Sequence, residues 1–225
     1  MFNSAITQDL FTDCLTPKEL AQFEIETTVL KMKKRQLVFS ENGIAFGCYI
    51  LLQGKAKLFK TGDLGKTQIF QLCCKGDLFG FHPVLNNRKY PDSAELLEDS
   101  ELLFIPAAFL LQLLKSNNDL CMAMLSGLST EFEDFLCQET MLAQKSVRER
   151  VCTVLYYLTA HYKNGNIEVS IPLSRADLAD LCGTVKETLV RVLHDLKEEQ
   201  IISTTDARGT ILLLDVNKLK RLAEV

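Results

Sequence analysis

The chain has 225 residues, of which 47% are hydrophobic and 24% charged, and its formal net charge is −4. An apolar fraction of this size excludes an intrinsically disordered chain, and the length is sufficient for two modest domains. The weakly acidic balance does not predict nucleic-acid binding for the whole chain. It does not exclude a short basic face that binds DNA locally.

Residues 1–15 contain neither a basic region nor a sustained apolar stretch, which argues against a secretory signal. The most apolar segment, residues 102–114, is shorter than the roughly 18 residues that a membrane-spanning helix needs, and Pro106 interrupts it. Without a secretory signal, the eight cysteines are predicted to be reduced thiols rather than a disulfide framework. We therefore expect a cytoplasmic protein with no membrane partner.

Residues 36–103 predict a small β-domain. Apolar residues alternate over short runs such as QLVFS, CYILLQ, KAKLFK and TQIFQLC, and the runs are separated by the turn segments ENG, QG, TGDLGK and KGD. Short strands separated by Gly, Asp and Asn at intervals of about eight to twelve residues are typical of a barrel or a sandwich.

A long helix is predicted after this domain, with a coiled-coil-like seam of apolar residues in steps of four and three. The seam comprises Cys121, Leu125, Leu128, Phe132, Phe135 and Leu142. Polar residues, Glu131 among them, occupy the other faces, as expected for faces in solvent. Packing of this helix on its own β-domain is the alternative, but the polar faces favour self-association as a homodimer.

The C-terminal third has the element order of a winged helix-turn-helix. A helix is predicted over residues 146–162, followed by the turn KNGN and the strand IEVSIPL. Two short helices then flank Gly183, and IISTTDARGTILLLDV predicts two strands joined by the turn DARG. Arg208 lies in this turn, the wing, and is a candidate DNA contact.

The two short helices carry recognisable end signals. Ser174 is predicted to cap the first, with Asp177 three residues on, and Gly183 follows its last turn, where a left-handed residue is favoured. Thr184 is predicted to cap the second, with Glu187 three residues on. The buried face of the second helix is predicted to comprise Leu189, Val192, Leu193 and Leu196. Its outward stripe comprises Lys186, Glu187, Val190, Arg191 and His194.

Such a stripe has two interpretations, an ordinary solvated face or a face that reads DNA. Its position after a glycine turn and before a pair of strands favours DNA. Arg191 can donate two hydrogen bonds to guanine, and Glu187 can accept one from cytosine. Val190 can contact a thymine methyl group, and Lys186 can reach a phosphate or a guanine.

The segment SRADLADLCGTVKETLVR, residues 174–191, resembles the DNA-binding end of the Crp/Fnr family of bacterial transcription regulators. The resemblance implies that Glu187 and Arg191 read bases and that Val190 sets specificity. It also implies that Arg175 and Thr188 contact the DNA backbone, whereas Val185 stands where the family usually has Ser or Thr. The complete set of candidate DNA-binding residues is Ser174, Arg175, Thr184, Lys186, Glu187, Thr188, Val190, Arg191 and Arg208.

The N-terminal half is also similar to this family. ENGIAFGCYILLQGKAKLFK resembles its early sensor strands, and KGDLFGF resembles the run into its effector cassette. The resemblance implies an α+β protein with an N-terminal jelly-roll sensor barrel of the cyclic-nucleotide-binding type, a long dimerisation helix and a C-terminal winged helix-turn-helix. We expect these parts at residues 1–115, 116–145 and 146–225. The implied partners are palindromic double-stranded DNA, a second copy of the chain and RNA polymerase.

The candidate effector pocket lies in the segments FGFHPVL and DSA. Family members that bind cyclic nucleotides have a Glu that holds the ribose 2′-hydroxyl and an Arg that neutralises the cyclic phosphate. Phe81 stands at the Glu position and Asp92 at the Arg position, which argues against a cyclic nucleotide because the Arg–phosphate pair is among the strongest hydrogen-bonded contacts. The candidate pocket residues are Gly80, Phe81, His82, Asp92, Ser93 and Ala94.

The sequence also argues against an iron–sulfur cluster and a haem. Family members with a cluster carry several cysteines near the N-terminus, where this chain has Cys14 alone. His82 or Cys74 could be a haem ligand, but a lone histidine in a loop beside Pro83 is more often an ordinary loop residue. The effector is left unassigned, and gating by haem or another small molecule is the alternative.

No enzymatic or metal site is predicted. The three histidines are His82, His161 and His194, and the last two are predicted on helices outside the barrel. No Ser-His-Asp arrangement, phosphate-binding glycine loop or metal-spaced Cys/His set is present. A winged helix that docks protein rather than DNA is the remaining alternative function.

Overall fold

The computed structural model describes residues 2, 4–162, 169–171, 173–204 and 210–223. The chain forms two compact units, Met1–Phe135 and Leu136–Val225. The boundary between them falls within the longest helix, which runs from Asn118 to Gln144.

The first unit is built around two antiparallel four-stranded sheets. One sheet has the strand order β1-β8-β3-β6 and the other has the order β2-β7-β4-β5. The strands of the first sheet are β1 (Thr28–Met32), β3 (Gly47–Gln53), β6 (Leu78–Phe79) and β8 (Ser100–Pro106). Those of the second sheet are β2 (Leu37–Phe39), β4 (Ala56–Thr61), β5 (Thr67–Cys73) and β7 (Ser93–Leu96).

The predicted jelly-roll topology is confirmed, but the prediction of a barrel is corrected. Each described sheet ends at two edge strands, so the sheets pack face to face as a jelly-roll-like sandwich and do not close into a barrel. Alternation along a strand explains the two-sided burial. In β3, Leu51 belongs to the core that draws side chains from both sheets, whereas Cys48 and Ile50 belong to a second core with the helices.

The helices of the first unit complete this second core. They contribute the buried side chains of Phe11, Phe23, Phe109, Leu120 and Met124. Thr16 and Glu19 form a reciprocal capping box at the start of the second helix. The helices are α1 (Asp9–Cys14), α2 (Pro17–Glu26), α3 (His82–Leu85), α4 (Ala107–Ser116) and α5 (Asn118–Gln144).

The second unit confirms the predicted winged helix-turn-helix order. Its described elements are α6 (Val147–Tyr162), β9 (Val169–Ile171), α7 (Arg175–Leu181), α8 (Lys186–Glu198), β10 (Ile202–Thr204), β11 (Ile211–Leu213) and α9 (Val216–Leu222). The strands form one antiparallel sheet in the order β10-β11-β9. The predicted KNGN and DARG turns, residues 163–166 and 206–209, lie outside the described residues.

The sequence analysis missed the last helix, α9. Its signal is Asp215, whose side chain accepts a hydrogen bond of 2.8 Å from the backbone N–H of Lys218. An aspartate in this position is a common N-cap, and Leu219 then buries the helix against its own unit.

Two further expectations concern the whole chain. All eight cysteines lie among the described residues and none is bridged, as predicted for reduced thiols. Within the described ranges, no helix combines the length and the apolar character needed to cross a bilayer.

Candidate DNA-binding site

Capping motifs close both ends of α7, and the second of them forms the turn before α8. The Ser174 hydroxyl oxygen accepts a hydrogen bond of 3.0 Å from the Asp177 N–H, which confirms the predicted cap of α7. At the other end, the Thr184 N–H donates to the Ala179 carbonyl at 3.0 Å and the Gly183 N–H donates to Asp180 at 3.4 Å. Gly183 has a φ of 60°, as the sequence predicts for its left-handed position.

The predicted cap of α8 is wrong. The N-cap is Val185, with extended backbone and no side-chain hydrogen bond, and not Thr184. The first hydrogen bond of α8 runs from the Leu189 N–H to the Val185 carbonyl at 3.0 Å, whereas Thr184 belongs to the turn that closes α7 through its bond to Ala179. Glu187 therefore lies at the second helical position and forms no capping box, which leaves its carboxylate exposed near the positive end of the helix.

The structure confirms which face of α8 is buried. Leu189 and Leu196 are fully buried, and Val192 and Leu193 are nearly so. The outward residues Lys186, Glu187, Val190, Arg191 and His194 are all exposed. Their role in base reading stays a prediction.

Two candidate DNA contacts make hydrogen bonds within α8. The guanidinium Nη2 of Arg191 donates to the Thr188 hydroxyl at 3.2 Å. This bond orients the guanidinium along the exposed face while leaving its other N–H groups available to a base or a phosphate.

Arg175 has a feature that the sequence did not reveal. Its side chain is half-buried at the first position of α7, and burial lowers the pKa of its guanidinium. The buried Nη1 atom has no hydrogen-bond partner among the described residues. A buried donor without a partner is costly, and an anionic oxygen would satisfy it. Arg208 lies outside the described residues.

Several residues of the predicted effector pocket pack with aromatic side chains. Phe81 is only 1% exposed and packs into the core shared with the helices. Gly80 has a φ of 74°, and a Cβ atom added to it would lie 2.9 Å from the Phe39 ring. Phe39 in turn stacks on Tyr90 with ring centroids 3.9 Å apart, and the Tyr90 hydroxyl donates to the Gly47 carbonyl at 2.6 Å. Sequence reasoning missed both Phe39 and Tyr90, because neither belongs to a polar motif.

The DSA segment leads into β7, which pairs with β2. Ala94 is fully buried and pairs with Phe39 across the β2–β7 ladder. The Ser93 hydroxyl accepts a hydrogen bond of 2.9 Å from the Glu41 N–H. Burial raises the pKa of Asp92 to about 6, against the opposing effects of His82 and Lys60. The candidate pocket residues are therefore neighbours, but they are engaged in packing and internal hydrogen bonds.

His82 and Glu131 form a link that the sequence analysis did not predict. His82 begins α3 and does not lie in a loop, and its Nε2 atom is 3.1 Å from the Glu131 carboxylate. Glu131 also receives hydrogen bonds from the Ser4 hydroxyl at 3.1 Å and the Ala5 N–H at 3.3 Å. The expectation that Glu131 faces solvent is wrong, since its side chain is only 13% exposed.

The apolar seam on α5 is partly exposed. Leu125, Phe132 and Phe135 are each more than half exposed, and Cys121 and Leu142 are half-buried. Leu128 packs against the core of the first unit. Met122 and Leu136 are also exposed, although the sequence analysis did not include them. Their positions three before Leu125 and four after Phe132 extend the exposed face with coiled-coil spacing.

Among the described residues, no group of three or more His, Cys, Asp or Glu side chains is placed to hold a metal ion. Burial raises the pKa of Cys74 and of Cys152 to about 11, which keeps both thiols protonated at neutral pH.

Comparisons with known proteins agree on both units. Residues 29–117 match the model of the cyclic nucleotide-binding domain, and residues 149–222 match that of the Crp-like helix-turn-helix domain. The nitrogen fixation regulation protein FixK of Azorhizobium caulinodans is 29% identical over 189 residues, which cover 82% of this chain and 75% of that protein.

Two further comparisons extend over most of the chain. The anaerobic regulatory protein of Bacillus subtilis is 28% identical over 191 residues, which cover 83% of this chain and 80% of that protein. The solved structure of FixK2 from Bradyrhizobium japonicum has a TM-score of 0.79 and 22% identity, and the match covers 87% of this chain and 96% of that one. The structural likeness supports the same fold.

Proposed function

Because the chain belongs to the Crp/Fnr family of DNA-binding transcription regulators, we propose that it binds a palindromic DNA site as a homodimer, without gating by a cyclic nucleotide. The observation that carries the proposal is the exposed stripe on α8, which follows the closed turn at Gly183. In this arrangement the second helix enters the major groove with its N-terminal residues next to the bases.

The chemistry of the stripe supports base reading. Arg191 is a bidentate donor suited to guanine, and Glu187 is an acceptor suited to cytosine. The half-buried Arg175 supports contact with the phosphate backbone, because its Nη1 atom has no hydrogen-bond partner among the described residues. Rotation of the side chain toward solvent would let a phosphate oxygen supply that partner, which would also favour the charged guanidinium. We assign Ser174, Thr184 and Thr188 supporting roles beside the backbone.

The exposed apolar residues of α5 support the homodimer. Leu125, Phe132 and Leu136 are each at least half exposed on one helix. A contiguous apolar face of this kind is typical of an interface, and the same face on two copies is self-complementary about a twofold axis. We therefore propose residues 116–145 as the dimerisation helix, between a sensor at 1–115 and the DNA-binding part at 146–225.

The contents of the candidate pocket support independence from cyclic nucleotides. Phe81 is buried in the core and offers no acceptor for a ribose hydroxyl. Asp92 carries a carboxylate, which repels a phosphate once it is ionised. Contact with RNA polymerase is a further expectation from the family resemblance.

Sedimentation and selection of bound sequences from a random duplex pool test the proposal together. A dimer should enrich a palindrome whose half-sites are about one helical turn, roughly 34 Å, apart. Binding should weaken steeply with salt because phosphate contacts release counterions. A monomer, a non-palindromic site or salt-independent binding would contradict the proposal, and salt-independent association would favour a protein-docking winged helix.

A further inference from the structure

Arg150 on α6 contacts the ends of two other helices of the second unit. Its Nε donates to the Cys182 carbonyl at 2.9 Å, and its Nη2 donates to the Gly183 carbonyl at 3.1 Å. Its Nη1 donates to the carbonyls of Lys145 at 3.2 Å and Leu142 at 3.4 Å. The first pair of carbonyls belongs to the turn after α7, and the second pair belongs to the end of α5.

These acceptors explain why the residue is an arginine. The last carbonyls of a helix have no partner within the helix, and they form its negative end. A guanidinium is always charged and presents its donors in a rigid planar fork, so a single side chain can hold two helix ends at a fixed separation and angle. A lysine has the charge but not the fork, and it cannot hold both ends in one geometry.

The clamped turn leads directly to the candidate reading helix. Gly183 is followed by the Val185 cap and then by the first residue of α8, Lys186. The contacts of Arg150 with this turn therefore lie three and four residues before the start of α8, where they can determine the position of α8 relative to the end of α5. The Thr184–Ala179 hydrogen bond also closes this turn and restrains its backbone.

We propose that Arg150 is a positioning residue that sets the angle between the reading helix and the end of α5 that belongs to the second unit, and through it the spacing of the DNA half-sites. This inference rests on the proposed function, in which α5 pairs two copies about a twofold axis. In such a dimer any displacement of α8 occurs in both copies and changes the separation of the two reading helices. One base pair is about 3.4 Å of that separation, so a small change in angle alters the preferred spacer.

Lys145 provides a matched control within the same unit. Its Nζ donates to the Ala223 carbonyl at the end of α9 and to the Thr153 hydroxyl, the latter at 3.2 Å. It is thus also a half-buried cation at a helix end, but its side chain donates to α6 and to the end of α9 instead of the turn before α8. Substitution of the side chain leaves in place the Lys145 carbonyl that Arg150 contacts. Loss of this contact is expected to lower stability without changing the half-site spacing.

The experiment measures binding to the selected palindrome, to versions with one base pair added or removed between the half-sites, and to an isolated half-site. The proteins compared are the wild type, Arg150→Lys, Arg150→Gln and Lys145→Met. The wild type and Lys145→Met should lose at least about tenfold in affinity on a changed spacer, an effect similar to that of one mismatched base pair. Both Arg150 variants should bind the half-site within about twofold of the wild type, yet discriminate between spacers by less than about threefold.

The outcomes separate the two proposals. The positioning role would be overturned if the Arg150 variants lost as much affinity on a changed spacer as the wild type does. It would also be overturned if they lost as much affinity for the isolated half-site as for the palindrome. If Arg150→Gln fails to fold, Arg150→Lys decides the question, because it keeps the charge and most of the volume. A wild-type protein that prefers no spacer would contradict the proposed function itself, whichever way the variants behave.

Discussion

At the residue scale, Arg191 is the side chain on which base recognition is expected to depend most. It is exposed on α8 and oriented by Thr188. We predict that Arg191→Ala weakens specific binding by about 1–3 kcal/mol and relaxes the preference at one guanine, because a bidentate contact is lost. Titrations against single-base variants of the selected site measure both effects.

Lys197→Ala is the control, since Lys197 is an exposed cation at the opposite end of the same helix from Lys186. It should have little effect on the preference at any base. If Arg191→Ala instead weakens binding equally on every sequence, Arg191 contacts phosphate and does not read a base.

Asp77 predicts a pH dependence of stability. The residue is 8% exposed, and burial raises the pKa of its carboxyl to about 6, with Glu131 adding to the effect. Between about pH 4 and pH 6 the folded protein keeps the proton while the unfolded chain releases it, so this group's stabilisation is lost as the pH rises. Relative to the wild type, Asp77→Asn should therefore gain on the order of 2–3 kcal/mol between about pH 4 and pH 7.

Urea unfolding of the wild type and of Asp77→Asn between about pH 4 and pH 7 measures the difference between their unfolding free energies. Asp99→Asn is a control for which the stability difference from the wild type should change with pH in the opposite direction. The reason is that Asp99 is exposed and its hydrogen bond with Lys33 lowers the pKa of the carboxyl. A stability difference between Asp77→Asn and the wild type that does not change with pH would show that Asp77 titrates normally in the folded protein.

Phe81 and Asp92 predict that cyclic AMP and cyclic GMP do not bind at millimolar concentration or below. Each missing charge-assisted contact is worth about 1.5–3 kcal/mol, so the loss of two costs on the order of a hundredfold to ten-thousandfold in affinity. Calorimetry at pH 8 is the suitable measurement, because Asp92, with a pKa of about 6, is ionised there. A micromolar dissociation constant would contradict this prediction. Arg88→Ala and Lys89→Ala would then show whether either cation binds the phosphate.

At the element scale, the turn between α7 and α8 depends on the left-handed backbone of Gly183. A residue with a Cβ atom costs about 1–2 kcal/mol in this conformation, and asparagine costs less than most. Unfolding free energies of the second unit should therefore fall in the order Gly183, Gly183→Asn, Gly183→Ala, Gly183→Val. Equal stability of the glycine and alanine proteins would show that the turn can close without the left-handed residue.

The same turn shows how far local signals reach. Ser174 as a cap and Gly183 as a terminator were predictable, because each motif involves residues within one helix end. The start of α8 was not, because Thr184 has the side chain of a cap but lies in the turn that closes α7, and the first bond of α8 runs from the Leu189 N–H to the Val185 carbonyl. Which of two adjacent residues begins a helix after a tight turn depends on the backbone geometry of that turn, which the residue types alone do not give.

At the scale of the whole molecule, Phe132 tests self-association. Its side chain is 61% exposed on α5, and its burial in a dimer would contribute about 1.5–3 kcal/mol in each copy. We predict that Phe132→Glu raises the dimer dissociation constant on the order of a hundredfold or more, and that binding to the palindrome falls with it. Analytical ultracentrifugation across a concentration series measures the dissociation constant.

Phe46→Glu is the matched control, because Phe46 is 71% exposed but precedes β3, away from the seam. It should leave both the dimer and DNA binding unchanged. Dissociation caused equally by both substitutions would indicate that exposed apolar residues stabilise the dimer non-specifically.

Several features were determined by the sequence alone. The two-part order, the short strands and the buried face of α8 follow from periodicity, because the spacing of apolar residues matches the geometry of a helix or a strand. The family resemblance of residues 174–191 also needed no coordinates, since the caps, the glycine and the outward stripe lie in one continuous segment.

Only the tertiary structure decided what distant segments do to one another. It showed that Glu131 binds residues near the N-terminus and His82, that Leu128 packs inward, and that Tyr90 and Phe39 occupy the interior. It also showed that Arg150 joins the ends of α5 and α7. Periodicity places a residue on a face, but it does not identify what packs against that face, because such partners are set by chain topology.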